Sequence, residues 1–310
     1  MVLCIGEAVI DMFYKQQYFY PLPGGCTYNT SIALGRLGAQ VSFLGRISKN
    51  FFGDIQVKRL RENNVNTDFI IRCEENPILA FIKTEEGKNP EYAFYEEGTA
   101  DRLLSAKDLP SAIPLGTTCI AFGSVSMLME PIATTIETLI FNESKNKVIA
   151  FDPNIRTFMI KDRETFIKRM EKWLGICTIA KISSEDFEYI YPDLSPEEAL
   201  QKTIKLGTCL AIVTLGCDGA IALLKRDDGS VLKVSVPGVK IPKVADTVGA
   251  GDTFQGALLA WFELRGKLSH NDIINISESD LNDALIFANK AAAFVCTRDG
   301  AQPPTMKELE

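Results

Sequence analysis

Asp246-Thr247-Val248-Gly249-Ala250-Gly251-Asp252-Thr253-Phe254 is the stretch from which the fold of this chain is read. Glycines at 249 and 251 let the backbone turn tightly and aim several N–H groups at one spot, while Phe254, Leu258 and Phe262 recur at helical spacing behind them. The spacing predicts a helix whose glycine-lined N-terminus, with unpaired donors and the positive end of the dipole, favours an anion such as a phosphate. Asp252, where that helix starts, has two readings. It is an N-cap, or it is a base that takes a proton from an attacking hydroxyl while the N–H groups of Gly249, Ala250 and Gly251 hold charge on a transferring phosphoryl group. A dinucleotide fingerprint would need glycine where Phe254 stands, and no G-x-x-x-x-G-K-[ST] occurs.

The chain has 310 residues, enough to bury a large α/β core. Its net charge of −7, with acids and bases interspersed, leaves no basic stripe for a nucleic-acid backbone. Eight cysteines without a C-x-x-C, mostly inside apolar runs, read as reduced thiols and point to the cytosol. His270 is the single histidine, so a His-type zinc site and a Ser-His-Asp triad both lack parts, and it reads as a surface residue. No basic n-region opens the chain and no apolar run is long enough for a bilayer, so a soluble, cytoplasmic protein with no membrane partner is expected.

Outward from the glycine stretch, apolar strands alternate with amphipathic helices. Strands are predicted at 2–5, 41–45, 119–122, 148–151, 179–182 and 210–214, and helices at 52–63, 131–141, 163–174, 195–206 and 281–296, the last with an Ala-rich face suited to a flat nucleobase. Such alternation implies a doubly wound, mostly parallel sheet with helices on both faces. Asp11, just past the first strand, reads as a turn residue or as an acceptor for a polyhydroxylated ligand. Pro21-Leu22-Pro23-Gly24-Gly25 reads as a rigid turn leading into a helix that carries Asn29. From 78 to 95 a β-hairpin with a polar turn at 85–90 interrupts the α/β pattern, and its aromatics need a cover, which is the active site or a second subunit. A second hairpin spans 221–236. No linker divides the chain, so one domain over 1–310 is expected, with lid segments within 12–23 and 78–98.

Gly24-Gly25 with Asn29, Asp152-Pro153-Asn154, Thr214-Leu215-Gly216-Cys217-Asp218-Gly219, the 246–254 stretch and Thr297-Arg298-Asp299-Gly300-Ala301-Gln302-Pro303 stand in an order that resembles the PfkB, or ribokinase-like, carbohydrate kinases. The resemblance runs from Gly6 to Pro303. It implies an ATP-dependent kinase of a sugar hydroxyl, with a small β lid over the sugar. It makes Asp252 the catalytic base and Gly249, Ala250 and Gly251 the anion hole. It sets Asp11, Gly24, Gly25 and Asn29 on sugar hydroxyls, and Thr214, Gly216, Gly219 and Asn289 along the nucleotide. A monovalent cation, K+ in many members, would lie at Asp246, Val248, Val295, Arg298 and Gly300. The family's Asn-x-x-Glu near Mg2+ departs here to Ser183-x-x-Asp186, where Asp186 acts on magnesium through water.

Ribokinases tend to carry Lys where Cys26 stands. Ketodeoxygluconate kinases tend to place an Arg in the lid, where Phe94-Tyr95-Glu96 puts a charge that opposes an acid sugar. The segment 95–103 and Lys181-Ile182-Ser183 look like bacterial fructokinases, so the resemblance implies fructokinase. The alternatives are a kinase of another neutral sugar or a nucleoside, a ketodeoxygluconate kinase, and a catalytically silent sugar-binding homologue. A homodimer through the lid hairpins is expected from their aromatics.

Overall fold

The computed structural model describes residues 1–15, 17–83 and 91–310. The chain begins with β1 (Val2–Ile5), β2 (Val9–Lys15), β3 (Tyr18–Gly24), α1 (Cys26–Arg36), β4 (Val41–Ser48), α2 (Phe51–Glu62), β5 (Ile70–Cys73), β6 (Leu79–Lys83) and β7 (Glu91–Tyr95). Next come β8 (Cys119–Gly123), α3 (Ile132–Glu143), β9 (Val148–Asp152), α4 (Arg163–Leu174), β10 (Ile179–Ser183), α5 (Ser184–Ile190), α6 (Pro196–Leu206) and β11 (Leu210–Thr214). The chain closes with β12 (Ala220–Lys225), β13 (Val231–Val236), α7 (Ala250–Leu264), α8 (His270–Ile274), α9 (Glu278–Val295) and α10 (Met306–Leu309).

Nine strands form one sheet in the order β13-β12-β11-β10-β9-β8-β1-β4-β5, with every pairing parallel except β11–β12 and β12–β13 at one edge, where β12 alone reverses direction. The central strands are buried along their length because both faces are covered, and the two faces have separate cores. Val2 and Cys4 of β1 face α1, α7 and α9 through Tyr28, Phe254, Leu258 and Leu285, whereas Leu3 and Ile5 face α3, α4 and α6 through Ile136, Trp173 and Leu200. This is the expected doubly wound sheet.

A second, four-stranded sheet has the order β3-β2-β6-β7. Its central pair, β2 and β6, is parallel, with Asp11 opposite Ala80, and each of the two carries an antiparallel partner. The stretch Pro21–Gly24, read from sequence as a rigid turn, belongs instead to β3. That strand lies at the edge of the sheet, where a missing N–H breaks no ladder. Asp11 likewise lies within β2 of this small sheet and not beyond a strand of the large one. β5, α5 and α8, which carry no clear apolar period, were not anticipated. The turn expected at 85–90 and the side chain of Tyr92 fall outside the described residues.

The small sheet has two unlike faces. Val9, Asp11, Ala80, Ile82 and Phe94 point at the large domain and line a cleft. On the outer face Tyr14, Phe19, Phe81 and Tyr95 form a row across all four strands, with successive ring centroids 5.2, 5.1 and 5.6 Å apart.

Helices α1 and α7, which carry the residues of interest, touch at Gly256. A Cβ there would lie 2.6 Å from Ala33 Cβ and 2.9 Å from the Thr30 carbonyl oxygen. Gly256→Val is expected to destabilise the protein by about 1–3 kcal/mol, as overpacking of a close helix contact does. Thermal unfolding checks this, and an unchanged melting temperature would contradict the close approach.

Candidate active site

Gly249 caps α7 in a left-handed conformation (φ 77°), which directs the following amides toward the cleft. The Ala250 N–H turns back to the Thr247 carbonyl at 3.2 Å, while among the described residues the N–H groups of Gly249 and Gly251 have no partner. Two of the three expected anion-hole donors are therefore free. Asp252 is not the cap: it is the third residue of the helix and is buried.

Its carboxylate sits between two amides. Oδ2 accepts Asn29 Nδ2 at 2.8 Å from α1, and Oδ1 accepts Asn154 Nδ2 at 3.3 Å from the loop after β9. Burial pushes the Asp252 pKa above the ordinary value. The hydrogen bonds from Asn29 and Cys26 and the charges of Lys181 and Arg156 oppose that rise. The result is an oriented carboxylate of raised basicity facing a cleft of 650 Å³, large enough for a small substrate.

Beneath the glycines lies a buried ion pair that the sequence reading did not assign. Lys181 Nζ, from the middle of β10, is 2.7 Å from Asp152 Oδ2 at the end of β9. The ammonium also stands 3.0 Å from where a Cβ on Gly251 would be, so a glycine there leaves room for it. A lysine inside the apolar run Ile179-Ala180-Lys181-Ile182 was the available signal. Asp152 Oδ1 has no hydrogen-bond partner among the described residues. Arg156, also unassigned from sequence, lines the cleft and hydrogen-bonds Asn154 Oδ1.

The expected sugar residues gather at one end. Asp11, Gly25 and Asn29 line the cleft; Gly24 does not, but backs Asp11 so closely that a Cβ would lie 2.0 Å from Asp11 Oδ2. Burial raises the Asp11 pKa to about 7, with the Arg156 charge opposing and the Asp252 charge adding to the rise.

Ser183, Asp186, Thr214, Gly216, Gly219 and Asn289 line the other end, beside an apolar slot of Val239, Ile241, Val244, Ala292, Ala293 and Cys296. Asn289 donates to the Pro237 carbonyl at 3.2 Å. Asp186 is occupied: with Ser183 it forms the capping box that opens α5, and its Oδ1 accepts the Ile155 N–H at 2.8 Å. Its neighbour Glu185 is exposed, lines the same cleft and was not singled out from sequence.

Of the expected cation residues, Val248 lines this cleft, and with Gly300 it lines a smaller adjoining pocket of 260 Å³. Asp246 ties their two loops, accepting the Val248 N–H at 3.0 Å and the Gly300 N–H at 2.9 Å. The Gly300 carbonyl accepts Gln302 N–H at 2.9 Å and that of Val295 accepts Arg298 N–H at 3.1 Å.

Glu96, expected to bring negative charge to the sugar, is ion-paired with Arg102 and does not line the cleft. Any discrimination against an acid sugar must come from the cleft itself, which is lined by six carboxyl groups (Glu7, Asp11, Asp152, Glu185, Asp186, Asp252) and two cations (Arg156, Lys181).

A doubly wound sheet with a free, glycine-lined helix N-terminus over a polar cleft is the architecture of an enzyme that handles phosphate. Residues 1–308 match the profile of the pfkB family carbohydrate kinases. The chain is 34% identical over 290 residues to a fructokinase of Rhizobium leguminosarum bv. trifolii, covering 91% of this chain and 86% of that one. It is 28% identical to fructokinase-1 of Zea mays over 100% of this chain and 96% of the relative. The structure of a fructokinase with bound ATP from Xylella fastidiosa is similar at TM-score 0.89 and 26% identity, covering 99% of this chain and 96% of that one. The chain belongs to the pfkB family of carbohydrate kinases, phosphotransferases that act on a sugar hydroxyl. Among the described residues no helix is long and apolar enough to cross a membrane.

The crowd of buried acids has a consequence for stability. Burial raises Glu7, Asp11 and Asp101 to about 7. Between their ordinary values near 4 and about 7 the folded protein holds protons that the unfolded chain releases, so stability falls as pH rises through that window and levels above it. Thermal melts from pH 5 to 8 are expected to show a higher melting temperature at pH 5.5 than at pH 8, and the opposite order would contradict these environments.

Proposed function

We propose that the protein transfers the γ-phosphoryl group of ATP to the 6-hydroxyl of fructose. The observation that carries the reading is the Asp252 carboxylate, held between Asn29 and Asn154 at the cleft and next to the free N–H groups of Gly249 and Gly251. Asp252 takes the hydroxyl proton as the oxygen attacks in line. Those two N–H groups, with Ala250 completing the turn, and the Lys181 ammonium stabilise the charge on the moving phosphoryl group. Asp11, Gly24, Gly25 and Asn29 form the sugar end; Ser183, Thr214, Gly216, Gly219 and Asn289 form the nucleotide end, with the base in the apolar slot.

Two adjacent carboxyl groups in the cleft, Glu185 and Asp186, suit a hard divalent ion, Mg2+, which neutralises phosphate charge when bound. The exposed Glu185 is the freer of the two and Asp186 acts through water. We place a monovalent cation such as K+ at the loops that Asp246 ties together, among Val248, Val295, Arg298 and Gly300.

The small sheet, with segments 12–23 and 78–98, is the lid of a single domain. Its Phe94 meets Phe158 of the main body edge to face at 6.0 Å across the cleft, and closure there keeps water from the phosphoryl group. Its outer aromatic row, with Phe19 45% and Tyr95 63% exposed, is the face through which we expect a homodimer. Eight free thiols fit a cytoplasmic protein.

Fructose is favoured by the relatives named fructokinase and by the acidic lining of the cleft, which opposes an acid sugar. A second reading, a ketodeoxygluconate kinase, is favoured by Arg156, a guanidinium in the cleft beside Asp11 that could pair a substrate carboxylate.

ADP release measured across fructose, ribose, adenosine and ketodeoxygluconate is expected to be fastest with fructose; preference for the last would transfer the assignment to the second reading. Asp252→Asn is expected to lower turnover by ~10²–10⁴, the span typical of losing a general base, and near-normal turnover would remove Asp252 from that role. Light scattering is expected to give twice the monomer mass, and a monomer mass at all working concentrations would rule out the lid dimer.

A further inference from the structure

One carboxylate holds both central strands of the small sheet where they leave the large domain. Asp101, in the turn after β7, is 1% exposed. Its Oδ1 accepts the Ala8 N–H at 2.7 Å and its Oδ2 the Ile78 N–H at 3.5 Å. Ala8 and Ile78 immediately precede β2 and β6, the parallel pair at the middle of the sheet. The same root is closed by the Ala100 N–H on the Asn76 carbonyl at 2.8 Å and the Ile10 N–H on the Ile78 carbonyl at 2.9 Å.

Among the described residues no lysine or arginine pairs with Asp101, and the charge that bears on it is that of Glu7, another buried acid. A carboxylate buried without a counter-charge is costly, and a backbone turn alone could join two strands. What the carboxylate adds, in the ionised form it takes above pH 7, is an acceptor on each oxygen, one for each N–H; an Asn would set its own NH2 group against one of them. The line continues toward the chemistry. Glu7 precedes Ala8, its Oε1 accepts the Cys26 N–H at 2.9 Å in the first turn of α1, and Asn29, three residues on, holds Asp252.

We propose that Asp101 is a positioning residue that locks the roots of β2 and β6, so that the inner face of the small sheet, with Asp11, stands at a fixed height over Asp252. This rests on the lid reading above. It predicts that loosening Asp101 spoils the sugar end of the cleft and its closure while sparing the nucleotide end.

Asp101→Asn is assayed for the Michaelis constants of fructose and ATP, for kcat, and for ATP hydrolysis without sugar. The fructose KM is expected to rise roughly 10-fold, equivalent to about 1.4 kcal/mol. Sugar-independent hydrolysis should grow relative to transfer, and the ATP KM should stay within about two-fold, since no nucleotide contact is touched. A variant that melts earlier yet keeps the parent's fructose KM and hydrolysis ratio would overturn the proposal, as would equal rises in both KM values. Hydrogen exchange on the unaltered protein needs no variant and no substrate. The Ala8 and Ile78 amides are expected to exchange as slowly as those of β1 and more slowly than residues 13–14 and 19–20 of β2 and β3. Exchange as fast as those outer positions would overturn the lock. Because that arm holds whatever the substrate, a failure of the kinase reading shows in the assay alone.

Discussion

A carboxylate kept out of water by two side-chain amides is the interaction on which this structure turns. Burying the charge of Asp252 costs several kcal/mol unless it is hydrogen-bonded, and its two partners come from far apart in sequence. Asn29 reaches it from α1 and Asn154 from the end of β9, at 2.8 and 3.3 Å. The arrangement exists only when α1 and α7 pack together on one face of the large sheet and both bring their first turns to the cleft. Gly256, at the helix contact, and the positive φ of Gly249 and Asn154 are local concessions to that one requirement. The carboxylate is therefore a test of the whole fold and not of a single loop.

The electrostatics of the cleft follow from the same arrangement. A polyanionic nucleotide must approach a surface lined by more acids than bases. The offsetting positive potential comes from the free amides and dipole of α7 and from Lys181, whose ammonium is pinned by Asp152 directly behind Gly251. Asp11 and the other acids of the cleft suit hydroxyl groups, which donate hydrogen bonds to them. The cleft thus carries opposite local fields, and the Asp252 carboxylate, with both oxygens already hydrogen-bonded, lies within it.

How much of this could be read from sequence depended on whether a residue's task was local. The apolar strands and amphipathic helices were legible because burial on both faces of a parallel sheet leaves long uninterrupted patterns, and α4 and β11 fall where the periodicity puts them. Short elements such as α5 and α8 left too little pattern. Pro21 and Pro23 looked like a turn because their tolerance at a sheet edge depends on strand order, which no local signal carries. Glu96 illustrates the same limit. Its charge is plain in the sequence, but its pairing with Arg102, away from the cleft, depends on how the loop closes. Lys181 was hidden for the same reason, since a lysine in a buried strand has meaning only once its counter-ion on the neighbouring strand is known.

The small sheet shows why its construction differs from a plain hairpin. Because β2 and β6 run parallel, both leave the large domain at the same end, and their antiparallel partners β3 and β7 return there. All four strands are thus rooted along one line. Alternation along each strand then separates two tasks: Asp11, Ala80, Ile82 and Phe94 face the cleft, and Tyr14, Phe19, Phe81 and Tyr95 face away. A shift of one residue in the β2–β6 register would exchange these sets, putting aromatic rings over the cleft and an acid on the outer face. The register at the root is therefore what turns Asp11 toward the cleft and the aromatic row away from it. A parallel pair, which lacks a tight turn to set its own register, must have it set by the body to which it is attached.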